Sequence, residues 1–325
     1  MMWGLRQGYC RVGNVFLGLI LTAILCPPNA EASVTVLVGE PFGNFGTMMP
    51  VGHTSIYLDH VCADGPLRLR MCRPGEPEGV VISRYHQLGK LDWIASPVME
   101  FLYAVERPQD VLSYATLDSA WDLRETYRRR YLEALVPDGT EYDKATDEWW
   151  ESAGVAYTRR LWGYQLATTR EQDEAFVEML NAHPNRHAYR LNTSNCADFA
   201  ADVVNFYFPN SVHRNHIADF GWMMPKQVAR SVEAYGQAHA ELDLKIFEIP
   251  QIPGSLRRSR PTRGGTEGLL KTKRYLFTLF VIQPEVPPAI AIMYLDSGRW
   301  KIGRGAQVLG PDAFDRGGEG EVATH

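Results

Sequence analysis

The chain has 325 residues, 45% of them apolar, 22% charged and 11% aromatic, with a formal net charge of −5. This composition is that of a globular protein and excludes collagen-like, low-complexity and coiled-coil chains. Mild acidity excludes an electrostatic footprint for nucleic acid, and the one basic run, "SLRRSRPTRGG" from Ser255, reads as a solvated linker.

Residues 1–32 read as a secretory signal peptide. Arg6 and Arg11 make a positive start, Val15 to Cys26 is an apolar run short for a membrane span, and Ala30-Glu31-Ala32 is an A-x-A cleavage site. An exported protein, periplasmic or secreted, is expected, touching a membrane only through this segment if it stays uncleaved. Cleavage would leave Cys62, Cys72 and Cys196, an odd number in an oxidising compartment.

Strands are predicted at Ser33–Gly39 and His53–Leu58, on either side of a Gly/Pro loop. Asp64-Gly65 followed by alternating Leu67, Leu69 and Met71 predicts a hairpin. "GVVISRY" and "VMEFLYAV" read as further strands. Helical spacing takes over from Asp110, and the Trp- and Tyr-rich stretch through Trp149, Trp150, Trp162 and Tyr164 reads as its continuation. Those aromatics are most simply core, or else the walls of a substrate cleft. Thr168 and Glu171 fit a capping box. Helices are predicted from Cys196 to the residue before Pro209 and from Pro225 onward, then a strand over "DLKIFEIPQI".

The fold class is α+β. Residues 33–253 form one domain with a helical insertion at about 108–183. A basic linker follows at 254–266, then a β segment at 267–311 able to complete the sheet, and a tail at 312–325 with the composition of disorder.

Cys196 is the chemically pointed residue. Asn195 is a good N-cap and Asp198 falls three residues on, so Cys196 becomes the first helical residue. A thiol there feels the positive end of the helix dipole, and the same N–H groups, with Asn195, are candidates to hold an oxyanion. His53 opens a strand, with Ser55 and Tyr57 on its face, and is a candidate base; Tyr57 is a candidate substrate contact.

"GHTSIYL" before "NCADFAADVV" resembles the circularly permuted branch of the NlpC-type papain-like thiol hydrolases, which includes the lecithin:retinol acyltransferase-like proteins; the Lnb N-terminal periplasmic domain family is similar. In that branch the His strand precedes an N-C motif, as His53 precedes Cys196 here. The resemblance implies an antiparallel sheet packed on the Cys-bearing helix, Cys196 as nucleophile and His53 as base. It also implies an amide or acyl substrate from the cell envelope and no cofactor. The third, orienting residue has several candidates. A two-residue turn at Asp64-Gly65 would put Glu76 opposite His53, with Asp59, His60 and Asp64 as other candidates. That register separates Cys62 from Cys72, so a regular hairpin and a Cys62–Cys72 disulfide compete. His213, His216 and Asp219, or His183 and His187, make no recognisable metal set, so no metal is expected. The alternative function is a non-catalytic member of the same fold that binds envelope material.

Overall fold

The computed structural model describes residues 32–43, 50–76, 79–86, 88, 91–136 and 148–314. Residues 1–31 of the expected signal peptide and 315–325 of the expected tail lie outside them; residues 312–314 of that tail belong instead to a 3-10 turn, Pro311–Phe314, with Phe314 buried. Strands β1 (Ala32–Gly39) and β2 (His53–Leu58) form where Val, Ile and Thr cluster. The short hairpin β3 (Val61–Ala63) and β4 (Leu69–Met71) follows. Next come β5 (Val80–Ser83), β6 (Ile94–Pro97) and helices α1 (Val98–Tyr103) and α2 (Leu117–Tyr127). Strand β7 (Leu161–Thr168) leads into α3 (Arg170–Ala182), α4 (Cys196–Tyr207), α5 (Pro225–Ala238) and β8 (Lys245–Ile249). The C-terminal part holds α6 (Gly265–Lys271), α7 (Lys273–Ile282), α8 (Val286–Met293) and the two-residue β9 (Gln307–Val308).

One sheet organises the molecule, in the order β6-β5-β2-β1-β7-β8-β9. All neighbours are antiparallel except β8 and β9. Alternation along the strands gives two buried faces. Val34, Val36, Val38, Ile56, Leu58 and Tyr164 pack with Ala200, Val203 and Val204 of α4, Phe176 of α3 and Val228 of α5. Leu37, Tyr57, Val81 and Phe247 pack the other way, against Phe101 and Leu102 of α1 and Tyr157. The α+β class holds, and helices cover both faces.

Several elements differ from the sequence expectation. Val98–Tyr103 is a helix, not a strand: a short run of large apolar residues carries no period that separates the two. The stretch ending at Thr168 is not continuous helix. Short 3-10 turns at Glu148–Ser152 and Val155–Tyr157 precede β7, which lies between β1 and β8 and, covered on both faces, lacks alternation. The 108–183 insertion therefore contains a central strand, and its aromatics Trp149, Trp162 and Tyr164 are core. The cap of α3 is Thr169 with Gln172, one residue later than predicted. Residues 273–293 form two helices rather than a strand pair, with prolines in the first turn of α8; only β9 of the C-terminal segment joins the sheet.

The basic "linker" is a bonded strap. Ser255 N donates to Ala115 O at 2.9 Å, Ser259 Oγ to Glu40 Oε2 at 2.7 Å, Arg260 N to Pro41 O at 2.9 Å and Arg263 N to Pro50 O at 2.8 Å. These bonds tie the insertion, the end of β1 and the following loop together.

The β3–β4 turn is longer than two residues. Asp64 N donates to Arg68 O, and Cys62 pairs with Arg70, three positions from the register of a tight Asp-Gly turn. That shift brings the Cys62 and Cys72 Cα atoms to 4.9 Å, and the two are disulfide-bonded. Replacing both by serine should cost about 2–3 kcal/mol, the loop-entropy value for so short a ring, read from urea unfolding with m fitted for each protein, since the freed unfolded chain should raise it.

Candidate functional site

The N-terminus of α4 is built by its cap. Asn195 has extended backbone angles, its Oδ1 accepts from Ala197 N at 2.7 Å and Asp198 N at 3.0 Å, and Asp198 Oδ2 accepts from Asn195 N at 3.0 Å. The Asn195 amide donates to Leu191 O at 2.8 Å and Met223 O at 3.2 Å. Cys196 is therefore the first residue of a box-capped twelve-residue helix, as its spacing predicts, and it is outside the disulfide and 6% exposed. Asn195 is not a spare oxyanion donor. Its amide is spent on two carbonyls, and its oxygen occupies the N–H groups of Ala197 and Asp198.

A polar cluster flanks this helix start. The Arg84 guanidinium donates to Ser194 Oγ at 3.0 Å and to Asp92 Oδ1 at 2.9 Å, and lies over the Phe199 ring. Ser194 Oγ also hydrogen-bonds His187 Nε2. Asp198 is ion-paired with Arg214. Sequence reasoning missed Arg84, Ser194 and His187 as neighbours of the cysteine. "TSNC" gave a local signal for Ser194 only.

His53 has a different setting. Gly52, at φ +77°, precedes it; a Cβ there would lie 2.2 Å from Gly39 O, so the approach to β2 requires glycine. His53 pairs with Gly39 at the start of β2. Its Nε2 lies 2.8 Å from Ser83 Oγ, whose own proton goes to Thr54 O at 2.8 Å. A hydroxyl has one proton, so Nε2 is the donor and the neutral tautomer carries hydrogen there. The Tyr85 ring stacks on the imidazole, with centroids 5.0 Å apart.

Beyond it lies the buried ion pair of Arg159 and Glu151, N to O 2.9 Å. Burial lowers the His53 pKa to about 4; the Glu151 carboxylate opposes this and the Arg159 charge reinforces it. His53 is neutral at pH 7. The acid facing it is Glu151, contributed by the insertion a hundred residues downstream, and no local pattern announces it.

Cys196 and His53 lie at the same end of the sheet but on opposite faces. Ile56 and Leu58 face α4, so His53, Ser55 and Tyr57 face away from it. Neighbouring residues of one segment mark the division: Ser83 holds His53 on one side, and Arg84 holds Ser194 on the other. Tyr57 is buried against Phe314, 5% exposed, and is not a surface contact. Glu76 does not reach His53. Displaced by the longer turn, it pairs with Arg70 at 2.7 Å and accepts from Arg73 N at 2.9 Å. Asp59 accepts from Ser33 N and pairs with His60, and Asp64 pairs with Arg68.

Among the described residues no three His, Cys, Asp or Glu side chains gather as a metal set. Asp219 accepts instead from Gly265 N at 2.6 Å. No helix among them is long and apolar enough to cross a membrane. Compared with known protein families, curated proteins and solved structures, the chain matches none.

Proposed function

We propose that the protein is an exported cysteine hydrolase in which Cys196 attacks an amide or acyl carbonyl of a cell-envelope substrate. The observation that carries this reading is the place of the thiol: outside the disulfide, at the first position of a box-capped helix, beside the Arg84–Ser194–His187 cluster. Helix starts favour thiolate, and a nucleophile needs a base within reach of its proton. On the Cys196 side of the sheet the imidazole bonded to Ser194 is that of His187, which makes His187 the base to test alongside His53 of the family resemblance. Arg84, paired with Asp92, serves here to hold Ser194 and through it His187 beside the helix start.

The alternative, a non-catalytic envelope-binding protein of the same kind, is favoured by one observation: β2 stands between His53 and α4. Iodoacetamide alkylation of Cys196 from pH 5 to 9 separates the readings. Catalysis predicts a thiol reactive at pH 6, an apparent pKa raised in His187→Ala, and a parallel loss of turnover on peptidoglycan fragments or acyl esters. If His53→Ala has that effect and His187→Ala does not, the permuted papain-like dyad is the correct form. A thiol that reacts as an unperturbed cysteine in all three proteins leaves only the binding reading.

A further inference from the structure

Helices α7 and α8, with the turn that follows at Tyr294–Gly298, leave an unusual amount of apolar surface in water. Phe277, Phe280, Val281, Ile282, Ile292 and Leu295 are each 59–72% exposed. Phe277, Phe280 and Val281 stand at i, i+3 and i+4 and so share one face of α7. A contiguous patch of this kind marks an interaction surface rather than ordinary exposure.

A second observation says what covers it. At the foot of the hairpin is a cleft of about 570 Å³ lined by Lys226, Lys271, Arg299, Lys301 and Arg304, with Tyr294 and Trp300 among them. Lys271 ends α6 just before α7, and Tyr294 directly follows α8, so the basic cleft and the apolar hairpin are continuous. The one acid lining the cleft, Glu267, is already bonded to both Lys226 and Lys271. Arg299, Lys301 and Arg304 make no ion pair among the described residues. With ten and eight residues, α7 and α8 are about 15 and 12 Å long at 1.5 Å per residue, far short of a ~30 Å hydrocarbon core.

We propose that the α7–α8 hairpin docks the protein on an anionic phospholipid surface. The apolar face enters one leaflet, and the cations at its foot meet the phosphates. Short apolar elements next to lysine, arginine and interfacial Trp and Tyr lie in a membrane interface rather than span it. A second copy of the chain is the poorer occupant, because a parallel pairing of the hairpins would bring the two basic feet together, and an antiparallel one would leave both without anionic partners from the apolar faces.

The test is hydrogen exchange of residues 273–298 with and without vesicles, supported by co-sedimentation. Vesicles containing phosphatidylglycerol should protect this segment, phosphatidylcholine alone should not, and added salt should weaken the effect. Arg299→Gln/Lys301→Gln/Arg304→Gln should weaken vesicle binding roughly a hundredfold, at about one kcal/mol per cation lost. Phe277→Ser/Phe280→Ser should remove the protection while leaving the thermal unfolding of these exposed positions unchanged. The N-terminal apolar segment can hold vesicles by itself, but it would not protect 273–298. Unchanged exchange in phosphatidylglycerol, variants that bind like the parent, or protection that follows protein concentration without vesicles would each overturn the proposal.

Discussion

Replacing Arg159 by methionine is expected to destabilise the protein by about 3–5 kcal/mol, the range for removing one partner of a buried ion pair. Methionine keeps the aliphatic packing over Gly39, where the Arg159 Cδ sits so close that a Cβ at Gly39 would lie 2.8 Å away. It removes the charge that compensates Glu151 and the cation that lies 4.2 Å from the centre of the Phe42 ring. Glu151, mostly shielded from water, would be left beside a neutral imidazole with only the more distant Arg124 charge to offset it. The His53 pKa should then rise from about 4 toward its ordinary value, since the Arg159 repulsion is gone and the Glu151 attraction is unopposed. Urea unfolding measures the first effect and the imidazole NMR titration the second.

The pH dependence follows with a definite sign. In the parent His53 has a depressed pKa, so the folded state binds fewer protons than the unfolded chain between about 4 and 6.5, and the His53 contribution rises with pH across that window. In Arg159→Met this slope should flatten. Glu151→Gln/Arg159→Met should recover only part of the lost stability, because it removes the unpaired carboxylate but also takes from the buried Arg124 a charge that favours it. A double variant as unstable as the single one would show that the pair acts through packing alone.

Asp173→Asn is expected to stabilise the protein at pH 8, by up to about 4 kcal/mol, and to do little at pH 4. Asp173 is fully buried at the start of α3, where its Oδ1 accepts the Tyr207 hydroxyl at 2.9 Å. Burial pushes its pKa up to about 7, with the Tyr207 bond working the other way. The folded state therefore holds a proton that the unfolded chain releases near pH 4, and the stability this gives is lost as pH rises toward 7. One pKa unit is worth about 1.4 kcal/mol, and roughly three units set the upper bound. Asparagine keeps an oxygen for Tyr207 and never ionises. Urea midpoints at pH 4 and pH 8 decide it; a variant weaker than the parent at both would mean that the carboxyl is needed for more than its charge.

What could be read from the sequence was what is decided locally. β1, β2, β8 and α5 carry their own residue signals, and the Asn195–Asp198 box fixes the start of α4 three residues at a time. β7 and the α7–α8 pair failed for a shared reason: apolar runs without a period fit helix or strand equally, and only their neighbours choose. The site was legible in part. Cys196 is where its cap puts it, while the partner of His53 depended on the length of one turn. A two-residue turn would have delivered Glu76; the longer one sent it to Arg70, and Glu151 arrived from the insertion. The alternation of β2 already placed His53 away from Ile56 and Leu58. Which of those faces α4 would choose is a tertiary fact.

The place of β1 in the sheet has a consequence for the order of assembly. Its first edge meets β2 almost at once, but its second pairs Ala32 with Thr168 and Gly39 with Leu161. Until β7 emerges, this eight-residue, fully buried strand is a bare template for any other chain, the kind of edge that nucleates aggregation. Such long-range pairing is slow because the intervening loop must close before any contact rewards it. The docking of β7 on β1 is thus the step at which the nascent chain either closes its sheet or is captured by a neighbour.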